Sequence, residues 1–206
     1  VRDRDIFVLD FSYKLEQLQP MAAVVKQVTL LAPHKSALEE LCQVKATDTS
    51  KVNIARLNLD IRFDMTRSGA RMAHDFFAAS YRERVDALID YIQDRDLWTW
   101  KLPGSREVSA ALHSHGVASD FRKLDDLNVD QLKAEGGAIL RYQDGLVKAL
   151  CRNAREVELD GHRVLAANCP VLQSEVAGEL AKDRPFGVAW FTNKDGRTVV
   201  SLRVRD

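Results

Sequence analysis

Cysteine is scarce: Cys42, Cys151 and Cys169 are three, widely spaced, with no CxxC among them. An odd, dispersed set excludes a disulfide framework and a paired-cysteine zinc site, and makes reduced thiols in a cytoplasmic setting the expectation. An excess of charge of either sign is also lacking, since 30 Lys+Arg stand against 30 Asp+Glu. A formal charge of zero does not suit a protein built to coat nucleic acid or an anionic membrane. A local basic cleft remains compatible with it. No run of 18 apolar residues occurs, so no membrane-spanning helix is expected. The opening Val-Arg-Asp-Arg-Asp is not a signal peptide. GxSxG, GxGxxG, the Walker A loop and HExxH are absent, which removes α/β-hydrolase, dinucleotide-dependent and P-loop readings.

What is present is a globular composition. Hydrophobic residues make up 46% and charged residues 29% of 206, enough for a real core in one or two domains. The first third alternates strands and helices. Residues 6–10 and 28–31 are short apolar runs, the pattern of strands buried on both faces, and 57–63 alternates as a strand with one buried face. Helical spacing occupies 12–27 (interrupted by Pro20, which can start a second piece), 35–44 and 68–79. Strands separated by helices predict βαβ units and a parallel sheet.

The middle is helical, over 85–92, 106–115 and 129–152, with Gly136-Gly137 a weak point in the last. The final fifty residues predict a hairpin over 157–165 with an Asp160-Gly161 turn, a helix over 174–182, and a second hairpin over 187–203. The expected domains are therefore an α/β lobe over 1–81, a helical bridge over 82–153 and a smaller α+β lobe over 154–206.

In an open parallel sheet, ligands bind beyond the carboxyl ends of the strands. Asp10 closes the first strand, His34 lies just past the second and Asp64 closes the third. Two carboxylates and an imidazole at one edge suit Mn²⁺, Mg²⁺ or Zn²⁺. Helix capping by the same residues is the competing reading. Asp94, Arg95 and Asp96, within Asp94-Arg95-Asp96-Leu97-Trp98, either order such a site or simply ion-pair a helix end. Ser68 and Gly69 open a helix whose N-terminus favours anions, though tight packing explains the glycine equally well. His113 and His115, two apart, do not share a helix face; His74 and His162 read as isolated, and Cys42 as core.

The order of motifs then resembles a known family. It runs Phe7-Val8-Leu9-Asp10-Phe11-Ser12-Tyr13, Val28-Thr29-Leu30-Leu31-Ala32-Pro33-His34-Lys35 and Phe63-Asp64-Met65-Thr66-Arg67-Ser68-Gly69-Ala70. It continues through Asp94-Arg95-Asp96-Leu97-Trp98, Lys101-Leu102-Pro103-Gly104, Asn168-Cys169-Pro170, Ser174-Glu175-Val176 and Val200-Ser201-Leu202-Arg203. This is similar to the DHH-family phosphoesterases with a C-terminal DHHA1 domain, near their oligoribonuclease- and exopolyphosphatase-like members.

The resemblance implies a metal-dependent hydrolase using Mn or Mg, cleaving phosphodiester or phosphoanhydride bonds of short oligonucleotides, nucleotides or other phosphorylated small molecules. It implies Asp10, His34 and Asp64 as metal ligands, His34 and Asp64 as catalytic, and Arg203 and Ser174 as substrate-binding. A homodimer is compatible with it; a membrane partner is not implied. The family signature Asp-His-His-Lys reads Ala32-Pro33-His34-Lys35 here. Alanine has no ligand atom, and the first family motif would precede Val1 while a glycine-rich one would follow Asp206. The expectation is a segment with impaired hydrolysis, and the alternative is a catalytically inactive nucleotide-binding or interaction module on the same fold.

Overall fold

A computed structural model describes residues 2–42, 47, 50–56, 58–77, 86–116 and 121–204. The chain is mixed α/β and divides into two units, Val1–Gly136 and Gly137–Asp206. The helices expected over 82–153 fall on both sides of that division. The predicted helix ends at 44, 79 and 85, Leu57 and the Cys42 side chain lie outside the described residues. Among the described residues no helix is long and apolar enough to cross a membrane.

The first unit is built on the sheet β1-β2-β4-β3, from β1 (Asp5–Leu9), β2 (Gln27–Ala32), β3 (Lys51–Arg56) and β4 (Leu59–Asp64). β1, β2 and β4 run parallel, whereas β3 is antiparallel to β4, so the sheet is mixed rather than parallel. β2 holds the centre and is buried over Val28–Ala32, which is why its run is apolar but for Thr29. β1 differs from expectation. It is an edge strand in which only Val8 is buried, because it has a neighbour on one side alone. Its outward Phe7 packs instead on Phe76 and Phe77 of α3 (Gly69–Phe77), with ring centroids 5.8 and 5.0 Å away.

Leu18 of α1 (Leu15–Val24) and Leu38 of α2 (Lys35–Cys42) join Val28, Leu30, Ile61 and Phe63 in the core on the other face. Helix α1 does not break at Pro20: the ring removes one intrahelical donor, and the fully buried Leu18 holds the helix across it. Helices α4 (Asp86–Asp96), α5 (Ser105–Ser114) and a 3₁₀ turn (Phe121–Asp126) follow.

Helix α6 (Val129–Cys151) runs unbroken through Gly136-Gly137. Its Gly136 serves packing, since a Cβ there would fall 1.9 Å from the Glu107 carbonyl oxygen of α5.

The second unit carries the sheet β5-β6-β7-β8, from β5 (Arg155–Leu159), β6 (His162–Asn168), β7 (Gly187–Thr192) and β8 (Thr198–Arg203). Asp160 and Gly161 both adopt positive φ, 50° and 76°, the two-residue turn that matches strand twist. The second hairpin is closed by Asn193, whose Oδ1 accepts from the backbone N–H of Asp195 and of Arg197 at 3.0 and 2.9 Å. β6 and β7 are parallel, connected through α7 (Gln173–Leu180). Val176, Ala177 and Leu180 of α7 share a core with Ala167, Cys169 and Ala189. Burial pushes the Cys151 and Cys169 thiols up, so neither is a poised thiolate.

Candidate functional site

Parallel pairing of β1, β2 and β4 places their carboxyl ends on one edge, and Asp10, His34 and Asp64 all follow from it. Asp10 leaves β1 with φ of 56°, its N–H donating to the Leu31 carbonyl at 2.9 Å. His34 Nε2 lies 3.1 Å from the Asp10 carbonyl oxygen and 3.5 Å from its Oδ1. Gly69 opens α3 against the same carboxylate: a Cβ there would meet Asp10 Oδ1 at 2.2 Å. The glycine expected at this position is therefore a close-approach residue, and its neighbour Ser68 is the α3 cap. The Ser68 Oγ accepts from the Arg71 N–H at 3.1 Å, and its own N–H is held by Gln93.

Asp64 is differently engaged. It is buried, and Lys51, its cross-strand partner on β3, reaches Oδ2 at 3.0 Å. Its Oδ1 accepts from the Thr66 N–H at 3.0 Å and the Thr66 hydroxyl at 2.6 Å. Burial alone would raise the Asp64 carboxyl, but the Thr66 and Lys51 contacts outweigh it and hold the group below its usual value. Thr66 was given no role in the sequence, although the Asp64-x-Thr66 spacing of a local side-chain turn could have revealed it. Lys51 could be found only by placing β3.

Asp94 proves to be a loop organiser. Its Oδ1 accepts from the Lys101 N–H at 2.8 Å and from the Thr99 hydroxyl, and Oδ2 accepts from the Leu102 N–H at 3.1 Å. Among the described residues the Ser105 hydroxyl meets no partner at full hydrogen-bond geometry, yet it favours the charged carboxylate. Burial would raise the carboxyl; these donors overcome it and hold Asp94 at about 2. Asp96 is raised, by desolvation first and by the Asp10 carboxylate, against Arg95. Arg95 itself lies 4.0 Å from Asp96. Beside them Arg71 bridges Asp75, Asp86 and Asp90, and His74 stands 3.4 Å from both Asp75 and Asp86, so His74 belongs to an ion network tying α3 to α4. His115 meets Glu135 at 2.7 Å, while His113 is exposed.

In the second unit the two expected substrate contacts are brought together. Arg203 Nη2 donates to Ser174 Oγ at 2.7 Å, in the first turn of α7. The N-cap residue Leu172, with φ of 54°, supplies no side-chain acceptor to that turn. A guanidinium, a hydroxyl and a helix N-terminus suit an anionic oxygen.

The donor set does not by itself make a dinuclear metal centre. Ala32 and Pro33 supply no ligand atom, Asp64 is committed to Lys51 and Thr66, and among the described residues no group of three or more His, Cys, Asp or Glu side chains is arranged to hold a metal. The structure thus brings Asp10 to His34 and leaves Asp64 with its own partners.

No family model matches the chain. It is 23% identical over 194 residues to "Uncharacterized protein R106" of Acanthamoeba polyphaga mimivirus, covering 91% of this chain. The chain spans 42% of that relative's length. A solved structure of an uncharacterized protein from Helicobacter pylori G27 aligns with 98% of this chain and 69% of its own, at 15% identity and a TM-score of 0.35.

Proposed function

We propose that the chain binds phosphate esters of nucleotides or short oligonucleotides, as a phosphoesterase-like protein of the DHH type whose hydrolytic centre is incomplete. The observation that carries this reading is the Arg203–Ser174 contact at the start of α7. A planar guanidinium presents two parallel donors to a phosphate, and the first-turn N–H groups of a helix add an electropositive field. The impaired half of the reading rests on Ala32 and Pro33 and on the commitment of Asp64 to Lys51.

Titration of the chain with 5′-phosphorylated diadenylate tests it. Arg203→Ala should weaken binding about 10- to 100-fold, the scale of one charge-assisted hydrogen bond. Unchanged affinity would remove Arg203 from the phosphate seat. A second reading, an active Mn²⁺-dependent hydrolase, is favoured by the meeting of Asp10 and His34 at the carboxyl edge of the sheet. Turnover of bis-p-nitrophenyl phosphate with Mn²⁺ by the chain would establish it. Turnover only after Ala32→Asp with Pro33→His would establish the incomplete centre instead.

A further inference from the structure

Trp98 and Trp100 lie on the turn that leaves α4, and both adopt positive φ, 56° and 52°. A bulky side chain in that left-handed region is a steric outlier, and it persists only where the surroundings hold it. Here they do. The Trp98 N–H donates to the Arg95 carbonyl and the Thr99 N–H to the Asp94 carbonyl, each at 2.9 Å, while the Asp94 carboxylate takes the Lys101 and Leu102 N–H groups. Backbone costs of this kind cluster at ligand clamps.

What the fixed turn presents is a pair of indoles set edge to face, with centroids 5.1 Å apart and planes at 71°. An edge-to-face pair leaves a corner bounded by one face of each ring. Trp98 keeps 39% of its surface in solvent. Indole faces are electronegative and attract cations more strongly than other aromatic side chains. Two further groups share that sign. Asp96 ends α4 with its side chain 42% exposed, and the Arg95 guanidinium lies 4.0 Å away, beyond hydrogen-bond reach. The carboxyl end of α4 adds the negative pole of the helix dipole. The indoles, the carboxylate and the helix end all belong to the first unit. A methylated ammonium ion suits the three together. Its charge is spread over methyl groups that pack on ring faces and ask for no hydrogen-bond acceptor.

We propose that Trp98 and Trp100, with Asp96, form a seat for a quaternary ammonium group. The seat goes beyond the phosphate-ester reading above and does not depend on it.

The test titrates the chain into choline and into 3,3-dimethylbutanol, its uncharged isostere, and follows the methyl proton resonance of each. Choline should shift upfield saturably, because ring faces shield the methyl groups, and should bind at least about 5-fold more tightly than the isostere. Trp98→Asn should weaken choline binding about 5- to 30-fold. Asparagine suits the left-handed backbone, so this variant removes the ring and keeps the turn, with the melting temperature as the folding control. Asp96→Asn leaves both rings in place and should weaken choline about 2- to 5-fold, a difference that shrinks in high salt. A trimethyllysine peptide carries the same group on a chain. Its ranking against choline separates a chain-borne source from a free one, and either ranking keeps the seat. Equal binding of choline and the isostere would overturn the recognition of charge. No methyl shift, or unchanged choline affinity in Trp98→Asn, would overturn the seat and leave the phosphate-ester reading standing.

Discussion

Asp94 and Asp10 belong to the same unit and have opposite surroundings. Asp94 is 6% exposed and accepts from two backbone N–H groups and a hydroxyl. Asp10 stands in water with one imidazole 3.5 Å away. A saturated buried carboxylate is a tether, because leaving its donors for a ligand would strand them. A carboxylate with 59% of its surface exposed has lone pairs to offer. By that criterion Asp64, held by Lys51 and Thr66, stands with Asp94, although its sequence position groups it with Asp10.

The largest effect that tests this contrast is loss of the tether. Asp94→Ala should destabilise the first unit by about 3 kcal/mol, read by chemical denaturation, since it orphans donors that served an ionised acceptor. A loss below about 0.5 kcal/mol would place Asp94 with the surface residues. Acid should show the same tether more gently. Asp94 titrates at about 2 in the fold against 3.8 without it, so its contribution is complete above about pH 5 and disappears as pH falls through 2. That shift corresponds to about 2 kcal/mol. The pH dependence of unfolding should flatten in Asp94→Asn; an unaltered acid limb would contradict the assignment.

Lys51→Ala should cost about 1 kcal/mol, because its ammonium is largely solvated while Asp64 is not. It should also move Asp64 toward the Asp10 class, seen as a rise in Mn²⁺ affinity by calorimetry. Unchanged Mn²⁺ binding would mean that Thr66 alone keeps the carboxylate closed. Smallest in stability are Asp10→Ala and His34→Ala, each within about 0.5 kcal/mol of the unmodified chain. Mn²⁺ affinity, read by calorimetry, should nevertheless fall in Asp10→Ala, and preserved affinity would detach Asp10 from any metal at that edge.

The sequence was informative where one local rule decided the outcome. The short, mostly apolar run Val28–Leu31 marked the central strand, and Asp160-Gly161 marked a hairpin whose turn needs two positive φ values. It misled where pairing partners decided. The apolar residues of β1 look like a central strand, but it lies at the sheet edge, and Phe7 touches the α3 rings while staying 42% exposed. β3 (Lys51–Arg56) passed unnoticed because only Val52 and Ile54 face inward and its antiparallel pairing breaks the expected βαβ rhythm. Missing β3 hid Lys51, and with it the reason that Asp64 does not join Asp10 and His34. For the same reason Gly136 looked like a helix weakness, although the Glu107 backbone requires it.

The most direct test of the account is a calorimetric titration of 5′-phosphorylated diadenylate into the chain in the presence of Mn²⁺. A phosphate-ester-binding protein with an incomplete hydrolytic centre should give a saturable binding heat that returns to baseline after each injection. A sustained heat of turnover would contradict the incompleteness of the centre, and the absence of any binding heat would contradict the function itself.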